Sequence, residues 1–201
     1  MRALGIFVRA PVPGQVKRQL TDEVGPSTAA EVYWQLGRRV VAAVTTSGFR
    51  TVVWYTPRSE AAHVREWLES LGRIELRPQG AGSLARRVEQ AIARHFAEGA
   101  RRVVIVGSDV PGVDRGLIAA AFAALDESDV VLGPTLDGFA YLIGMRAPQP
   151  LLFRGVAWER PGVAPGTLAR ARQLGLALRL LSPLRSITTA RDARLVGLLK
   201  P

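Results

Sequence analysis

The sequence predicts an α/β domain built around a mainly parallel sheet. Short β-rich apolar runs alternate with amphipathic helical segments along nearly the whole chain, which is typical of βαβ units. The 201 residues suit one large core, no low-complexity linker divides them, and 48% of them are hydrophobic. We therefore expect residues 1–201 to form a single domain.

The predicted strands are runs of apolar and β-branched residues bounded by glycine, proline or charged residues. Residues 103–106 form the clearest buried strand, a continuous apolar run between Arg102 and Gly107. Residues 140–143 are expected to run antiparallel to the others. In chain order, strands are predicted at 3–8, 51–55, 74–76, 103–106, 130–132, 140–143 and 177–181.

The predicted helices combine a periodicity near 3.6 residues with capping residues. The first opens at residues 26–28, where Thr28 and Glu31 have the spacing of a capping box, and stops at Gly48. Ser59 is the expected cap of the second helix. The remaining helices, with the second, are predicted at 59–71, 83–97, 117–125, 167–174 and 190–199.

Two residue counts exclude whole classes of site. The chain contains no cysteine, which excludes disulfides, zinc–thiolate sites, iron–sulfur clusters and cysteine nucleophiles. Its two histidines, His63 and His95, fall in separate predicted helices and are expected at the surface. Two such residues are too few for a histidine-rich metal centre.

The net charge of +10 makes nucleotides, phosphosugars and polyanions the partners to test. All cations except Lys17 and Lys200 are arginines, scattered singly or in pairs, as a GC-rich coding bias would produce. Aromatic residues make up only 6% of the chain and do not alternate with the arginines, as a nucleic-acid stacking surface requires. The sequence therefore argues against a nucleic-acid partner.

The sequence predicts no membrane or targeting segment. Arg9 and the Pro/Gly turn behind it interrupt the apolar run at residues 1–8 before it reaches the length of a signal peptide. No apolar stretch approaches the ~18 residues needed to span a bilayer. We therefore expect a cytoplasmic protein without a membrane partner.

Ligands of open α/β sheets bind at the carboxyl ends of the strands, so the loop after residues 3–8 is informative. Two prolines and Gly14 precede Lys17 in this loop. Such a stiff turn would bring backbone N–H groups and an ammonium group to an anion. The alternative is a rigid connection with an exposed lysine, and the spacing is not that of a Walker A motif.

Other loops add candidates with alternatives of their own. Asp109 follows the clearest strand, where a carboxylate suits Mg²⁺ or Mn²⁺ on nucleotide phosphates, or else caps a helix. Asp137 lies in an Asp-Gly turn and has a function only if it faces the same crevice. The loop 79–83 opens a predicted helix, and the N-terminal amides of this helix either hold an anion or are capped by Ser83. Trp158 either stacks on a ring or fills an apolar gap.

These segments together resemble a known family. The shared motifs are Phe-x-x-Ala-Pro-x-Pro-Gly-x-x-Lys ending at Lys17, Gly-Ser-Asp-x-Pro-Gly around Asp109, and Asp-Gly-x-x-Tyr-Leu-Ile-Gly from Asp137. From Gly5 to Leu195 the chain is similar to bacterial glycosyltransferase-like proteins of the nucleotide-diphospho-sugar transferase superfamily. Some of these are arsenosugar-biosynthesis glycosyltransferases, and phospholactate guanylyltransferases are more distant relatives. The resemblance implies a GT-A-like, Rossmannoid three-layer sandwich.

The resemblance also implies roles for single residues. Lys17 would contact the phosphates of a nucleotide or nucleotide-sugar, and the backbone of Pro13 and Gly14 would cradle them. Asp109 would hold a metal ion or the ribose, and Asp137 would lie on the side of a small-molecule acceptor; both are the implied catalytic residues. The rest of the implied nucleotide-binding set is Arg18, Gly80, Gly82 and Ser108.

The sequence departs from the family pattern at acidic positions. Neutral residues replace four acids, and the late acidic signature retains only Asp192. The neutral residues are Ser83, Leu136, Ser186 and Thr188. Because a GT-A metal site commonly needs carboxylates from two places, Mg²⁺ or Mn²⁺ is expected to bind weakly or not at all. Arg9 and Arg18 would then neutralise the diphosphate.

Three functions follow from this pattern. The leading hypothesis is an enzyme that transfers a glycosyl group from a nucleoside diphosphate sugar to a small acceptor. The first alternative is a nucleotidyltransferase that releases pyrophosphate from a nucleoside triphosphate. The second is a degenerate, non-catalytic nucleotide-binding protein. The replacement of four acidic residues supports this alternative.

Overall fold

The computed structural model describes residues 1–45 and 48–200, and these form seven strands and seven α-helices. The strands are β1 (Arg2–Arg9), β2 (Arg50–Thr56), β3 (Glu75–Pro78), β4 (Arg102–Gly107), β5 (Val130–Pro134), β6 (Ala140–Met145) and β7 (Leu178–Leu180). The helices are α1 (Arg18–Val24), α2 (Pro26–Thr45), α3 (Ala61–Leu68), α4 (Leu84–Ala97), α5 (Arg115–Ala124), α6 (Val163–Gln173) and α7 (Ala190–Leu195). Short 3₁₀ turns lie at Arg58–Glu60, Glu69–Leu71 and Pro150–Phe153.

The seven strands form one sheet in the order β3-β2-β1-β4-β6-β5-β7. Strand β1 pairs in parallel with both β2 and β4, and β3 and β7 continue the parallel pairing at the two edges. Strand β6 alone among them is reversed, because it pairs antiparallel with both β4 and β5. The predicted parallel sheet with a late antiparallel strand is confirmed. The carboxyl ends of six strands therefore meet at one edge.

Helices cover both faces of the sheet, as a parallel sheet with buried strands requires. On one face, alternate strand residues such as Ile6 and Val106 pack with the apolar sides of α1, α2, α3, α5 and α7. On the other face, neighbours such as Ile105 pack against α4 and α6. The predicted three-layer sandwich is therefore confirmed. None of the helices in the described residues is both long and apolar enough to cross a membrane.

The element boundaries differ from the predicted ones where local signals were weak. Helix α2 begins at Pro26, which suits the first turn of a helix, so Thr28 lies inside the helix and is not its cap. Ser59 lies in the 3₁₀ turn before α3 and does not cap that helix. Helix α1 was not predicted, because its seven residues are too few for periodicity and bury only Leu20.

The expected surface position of His95 is wrong. Its imidazole is fully buried, and its Nε2 accepts a hydrogen bond of 3.1 Å from the indole Nε1 of Trp54. On α4 it shares one face with Val88 and Ile92, so the helical spacing indicated a buried position. Burial lowers the pKa of His95 to about 4, although the nearby carboxylate of Glu98 opposes this effect.

We expect the free energy of unfolding to decrease as the pH falls from about 6.5 to about 4. In this window the unfolded chain binds a proton at His95 that the folded chain does not. The contribution of His95 to the free energy of unfolding is therefore complete above pH 6.5 and is lost progressively as the pH falls to about 4. Urea unfolding at a series of pH values measures the slope. His95→Gln should flatten it, whereas His63→Gln, at a side chain that is 40% exposed, should not. An unchanged slope in His95→Gln contradicts this origin.

Candidate functional site

A cavity of about 590 Å³ opens at the edge of the sheet where the parallel strands end. Its walls come from the loops after β1 and β4, from α4, from the turn between β5 and β6, and from the segments around Trp158 and Ile187. The size lies in the range of small-molecule sites. The charged residues that line it are Arg9, Lys17, Arg18, Arg87, Asp109, Asp137 and Glu159.

Lys17 ties three segments of this wall together. Its Nζ donates hydrogen bonds to the backbone carbonyl oxygens of Asp109, at 2.8 Å, and Ile187, at 3.3 Å. The same nitrogen lies 3.6 Å from Oδ2 of Asp109, and the lysine side chain is only 8% exposed. The ammonium therefore joins the loop after β1 to the loop after β4 and to the segment before α7.

The hydroxyl group of Tyr33, on α2, supports the same two loops from below. It accepts a hydrogen bond of 2.9 Å from the backbone N–H of Arg9 and lies 3.0 Å from Oγ of the buried Ser108. Burial raises the pKa of Tyr33 to about 12, and the negative charge of Asp109 adds to the effect. Tyr33 therefore stays neutral and acts as a fixed link between the ends of β1 and β4.

Gln79 and Arg87 form the wall on the side of β2. The side-chain amide of Gln79 donates to the carbonyl oxygens of Val8, at 3.1 Å, and Trp54, at 2.9 Å. Its Oε1 accepts a hydrogen bond of 2.5 Å from Nη1 of Arg87. Burial, and then the positive charge of Arg9, lower the pKa of Arg87 from its ordinary value. Two guanidinium groups that repel each other thus line one cavity.

The turn between β5 and β6 brings Asp137 to the cavity. Oγ of Ser186 donates a hydrogen bond of 3.1 Å to Oδ1 of Asp137. The carbonyl oxygen of Gly138 accepts hydrogen bonds from the backbone N–H groups of Gly162 and Val163, so α6 holds the turn in place. Gly138 has φ +90°, a conformation that glycine adopts without strain. Asp137 and Asp109 thus face the same cavity, which was the condition for a function of Asp137.

Two amides in the first turn of α4 are already bonded to side chains of the protein. Oγ of Ser83 accepts from the N–H of Arg86, and Oε1 of Glu159 accepts from the N–H of Leu84 at 2.7 Å. The capping role of Ser83, one of the two alternatives for this loop, is therefore present. Trp158 lies beside Glu159, packs on Phe153 with ring centroids 5.2 Å apart, and is buried. It fills an apolar gap while lining the cavity.

The structure brings together only part of the predicted site. Five of the residues in the predicted site line the cavity: Lys17, Arg18, Ser108, Asp109 and Asp137. Pro13 and Gly14 lie outside this lining and are exposed, because the turn projects into solvent before the chain returns at Gln15. Gly80 faces Gln90 and lines a separate cleft, and Gly82 also lies outside the cavity lining.

Asp192, the acid retained from the late signature, has a local task. Its Oδ2 accepts hydrogen bonds from Thr188 and Thr189, and Thr189 in turn caps α7 in a capping box. Burial acts to raise the pKa of Asp192, but the hydrogen bonds from Thr189 and Thr188 outweigh it and lower the pKa. Within residues 1–45 and 48–200, no cluster of three or more histidine or acidic side chains is placed to hold a metal ion.

Tyr33, Arg87 and Glu159 were not singled out as site residues from the sequence, and Gln79 was named only as part of the loop 79–83. Gln79 and Arg87 belong to a loop and a helix that were predicted, and a glutamine directly after a strand was an available signal. Tyr33 lies in the middle of a 20-residue helix, where its apolar neighbours mark it only as a core residue. Its contact with Ser108 joins residues 75 positions apart.

Comparison with known proteins places the chain in a family. A family model described as "Uncharacterized protein conserved in bacteria (DUF2064)" matches residues 39–160. The chain belongs to this family. The matched region runs from α2 to the cavity-lining Glu159 and includes Asp109 and Asp137. A search of curated proteins found no significant match.

Solved structures similar to this chain include one whose sequence is 28% identical. It is the crystal structure of a protein from Desulfovibrio desulfuricans G20, provisionally assigned as a nucleotide-diphospho-sugar transferase. The TM-score is 0.89 at 28% identity, and the match covers 97% of this chain and 85% of that one. The resemblance to this superfamily, predicted from the motifs, is confirmed.

More distant structures share the fold. The inositol-1-phosphate CTP transferase from T. maritima has a TM-score of 0.62 at 12% identity, covering 98% of this chain and 94% of that one. A 4-diphosphocytidyl-2C-methyl-D-erythritol synthase has a TM-score of 0.58 at 14% identity, with both chains covered completely. At such identities the similarity concerns the fold alone.

Tyr33→Phe should lower the free energy of unfolding by about 1–3 kcal/mol, because it leaves the N–H of Arg9 and the hydroxyl of Ser108 without their partner. Urea unfolding measures the change. Tyr55→Phe is the matched control, since the hydroxyl of Tyr55 has no hydrogen-bond partner among the described residues. Equal losses in the two variants would show that the link carries no stability.

Proposed function

We propose that this chain binds a nucleoside diphosphate sugar in the cavity and transfers the glycosyl group to a small acceptor. The observation that carries the proposal is that Lys17, Asp109 and Asp137 line a single cavity, where Lys17 and Asp137 bond to the consecutive residues Ile187 and Ser186. The similarity to the Desulfovibrio protein, with its provisional assignment as a nucleotide-diphospho-sugar transferase, supports it.

The donor would lie against the cationic wall. Lysine has three N–H donors, and the backbone carbonyls of Asp109 and Ile187 accept two from Lys17, which leaves one for a phosphate oxygen. Arg9, Arg18 and Arg87 line the same cavity. Guanidinium groups bind phosphate through paired, charge-assisted hydrogen bonds. This wall would stabilise the negative charge that develops on the diphosphate as it leaves.

The acceptor would lie against Asp137. The acceptor oxygen would bond to the anomeric carbon while the bond from that carbon to the diphosphate oxygen breaks, with its electron pair leaving on the diphosphate. The hydroxyl proton would pass to the carboxylate of Asp137, which Ser186 orients through its hydrogen bond to Oδ1. The side chain of Asp109 is 54% exposed, so its carboxylate would accept a hydrogen bond from the nucleoside diphosphate sugar.

Nucleotidyl transfer is the second candidate. Here an acceptor phosphate would attack the α-phosphorus of a nucleoside triphosphate, and pyrophosphate would leave. The supporting observation is the density of cations, which suits a triphosphate as well as a diphosphate. The fold shared with a CTP transferase is compatible with this reaction. Release of pyrophosphate, and not of a nucleoside diphosphate, distinguishes it.

Binding is tested first, by thermal shift with UDP-, GDP- and ADP-sugars and with nucleoside triphosphates. A ligand of the folded state should raise the melting temperature as its concentration exceeds its Kd. Arg87→Met should weaken this binding by about tenfold through the loss of a charge-assisted contact. Arg86→Met is the matched control, because Arg86 is the exposed neighbour outside the cavity lining. If no nucleotide shifts the transition, both transferase proposals fail.

Turnover is tested with Asp137→Asn. Loss of a general base should lower kcat by about 10²- to 10⁴-fold while the donor affinity stays unchanged. Asp22→Asn is the control, since Asp22 is exposed on α1 and lies outside the cavity lining. Donor binding without transfer or hydrolysis in the unmodified protein would identify it as the non-catalytic nucleotide-binding protein that the lost acids allow.

A further inference from the structure

We infer that the ammonium group of Lys17 takes the place of a divalent metal ion at Asp109, so that this site binds the phosphates of its nucleotide without Mg²⁺ or Mn²⁺. The inference about the nucleotide rests on the proposed function. The inference about the metal concerns only the described residues around Asp109 and stands by itself.

Oxygen atoms surround the ammonium group as they would surround a small cation. Nζ of Lys17 lies 2.8 Å from the carbonyl oxygen of Asp109 and 3.3 Å from that of Ile187. The carboxylate oxygen Oδ2 of Asp109 is 3.6 Å away. Mg²⁺ binds oxygen ligands at about 2.0–2.1 Å, so it would need the space that this nitrogen occupies. A metal ion at Asp109 would also repel the lysine at short range.

A second carboxylate does not support Asp109 from the late part of the chain. Ser186 and Thr188 reach the cavity with hydroxyl groups, and Asp192 is engaged in the cap of α7. Asp137 accepts a hydrogen bond from Ser186, the residue next to Ile187. Among the residues that the structure describes, no group of three or more histidine or acidic side chains could hold a metal ion. These donors, with only one carboxylate among them, do not fit Mg²⁺ or Mn²⁺ while the ammonium of Lys17 contacts them.

The backbone of Lys17 is held in a conformation that favours glycine. Its φ of 47° and ψ of 46° lie in the left-handed region, and Lys17 is the one non-glycine residue with positive φ among the described residues. Such a conformation costs of order 1–3 kcal/mol and persists where surrounding contacts hold the residue in place, often at functional sites. The three oxygen contacts of the ammonium hold Lys17 in this conformation.

The arginines of the cavity supply the further positive charge that phosphate binding without a metal ion needs. Arg9, Arg18 and Arg87 line the cavity with Lys17, whereas three acids oppose them: Asp109, Asp137 and Glu159. Glu159 is bonded to the first amide of α4, and the carboxylate of Asp109 is paired with Lys17. The remaining guanidinium groups are therefore available to neutralise a diphosphate, which is the task that a bridging metal ion performs in other phosphate sites.

The test measures Mn²⁺ uptake by electron paramagnetic resonance on the full chain without nucleotide. The unmodified protein and Asp109→Asn should take up equally little Mn²⁺. Lys17→Met removes the ammonium but leaves the three oxygen atoms, so it should acquire Mn²⁺ uptake that the double variant Lys17→Met, Asp109→Asn lacks. Uptake by the unmodified protein that Asp109→Asn abolishes would overturn the inference, and so would a folded Lys17→Met variant that takes up no Mn²⁺.

A second measurement compares the binding of UDP, GDP and ADP in EDTA with their binding in MnCl₂. The Kd of the nucleotide that binds should differ by less than about threefold between the two buffers. A Kd about tenfold or more lower in MnCl₂ would overturn the inference. If no nucleotide binds in either buffer, the proposed function fails, and the Mn²⁺ uptake still decides whether Lys17 replaces the metal ion.

Discussion

The ammonium of Lys17 is the contact on which the geometry of the site depends. It joins the loop after β1 to the loop after β4 and to the segment before α7, through two backbone carbonyls and one carboxylate. These segments are far apart in the chain, with 170 positions between Lys17 and Ile187. A cation at this point both closes the wall of the cavity and sets the charge environment of Asp109.

Polar side chains that face the sheet make the same edge rigid. Tyr33 links the end of β1 to the end of β4, and Gln79 bonds to carbonyls at the ends of β1 and β2. Each buried polar atom in these links has a partner, which is the condition under which such groups stabilise a fold. The charged groups that project into the cavity therefore start from a fixed frame, as binding without large reorganisation requires.

Much of the fold could be predicted because its signals are local. The run at 103–106 became β4 and the capped segment at 83–97 became α4, since apolar periodicity and an N-cap act within a few residues. Helix α1 was missed because seven residues carry too little pattern. The buried position of His95 was not predicted, because histidine is a polar residue type. Its helical spacing from Val88 and Ile92 nevertheless indicated the buried face of α4.

The sequence by itself determined the succession of the seven strands and of six of the seven helices, the family, and the presence of Lys17 and Asp109 in the loops after two strands. Only the tertiary structure decided that Asp137 faces the same cavity, and that Asp192 accepts the hydrogen bonds of a capping box on α7 outside it. The physical reason is range. Backbone preferences and periodicity act between neighbours, whereas a cavity is defined by side chains that meet only after the sheet has brought distant loops to one edge.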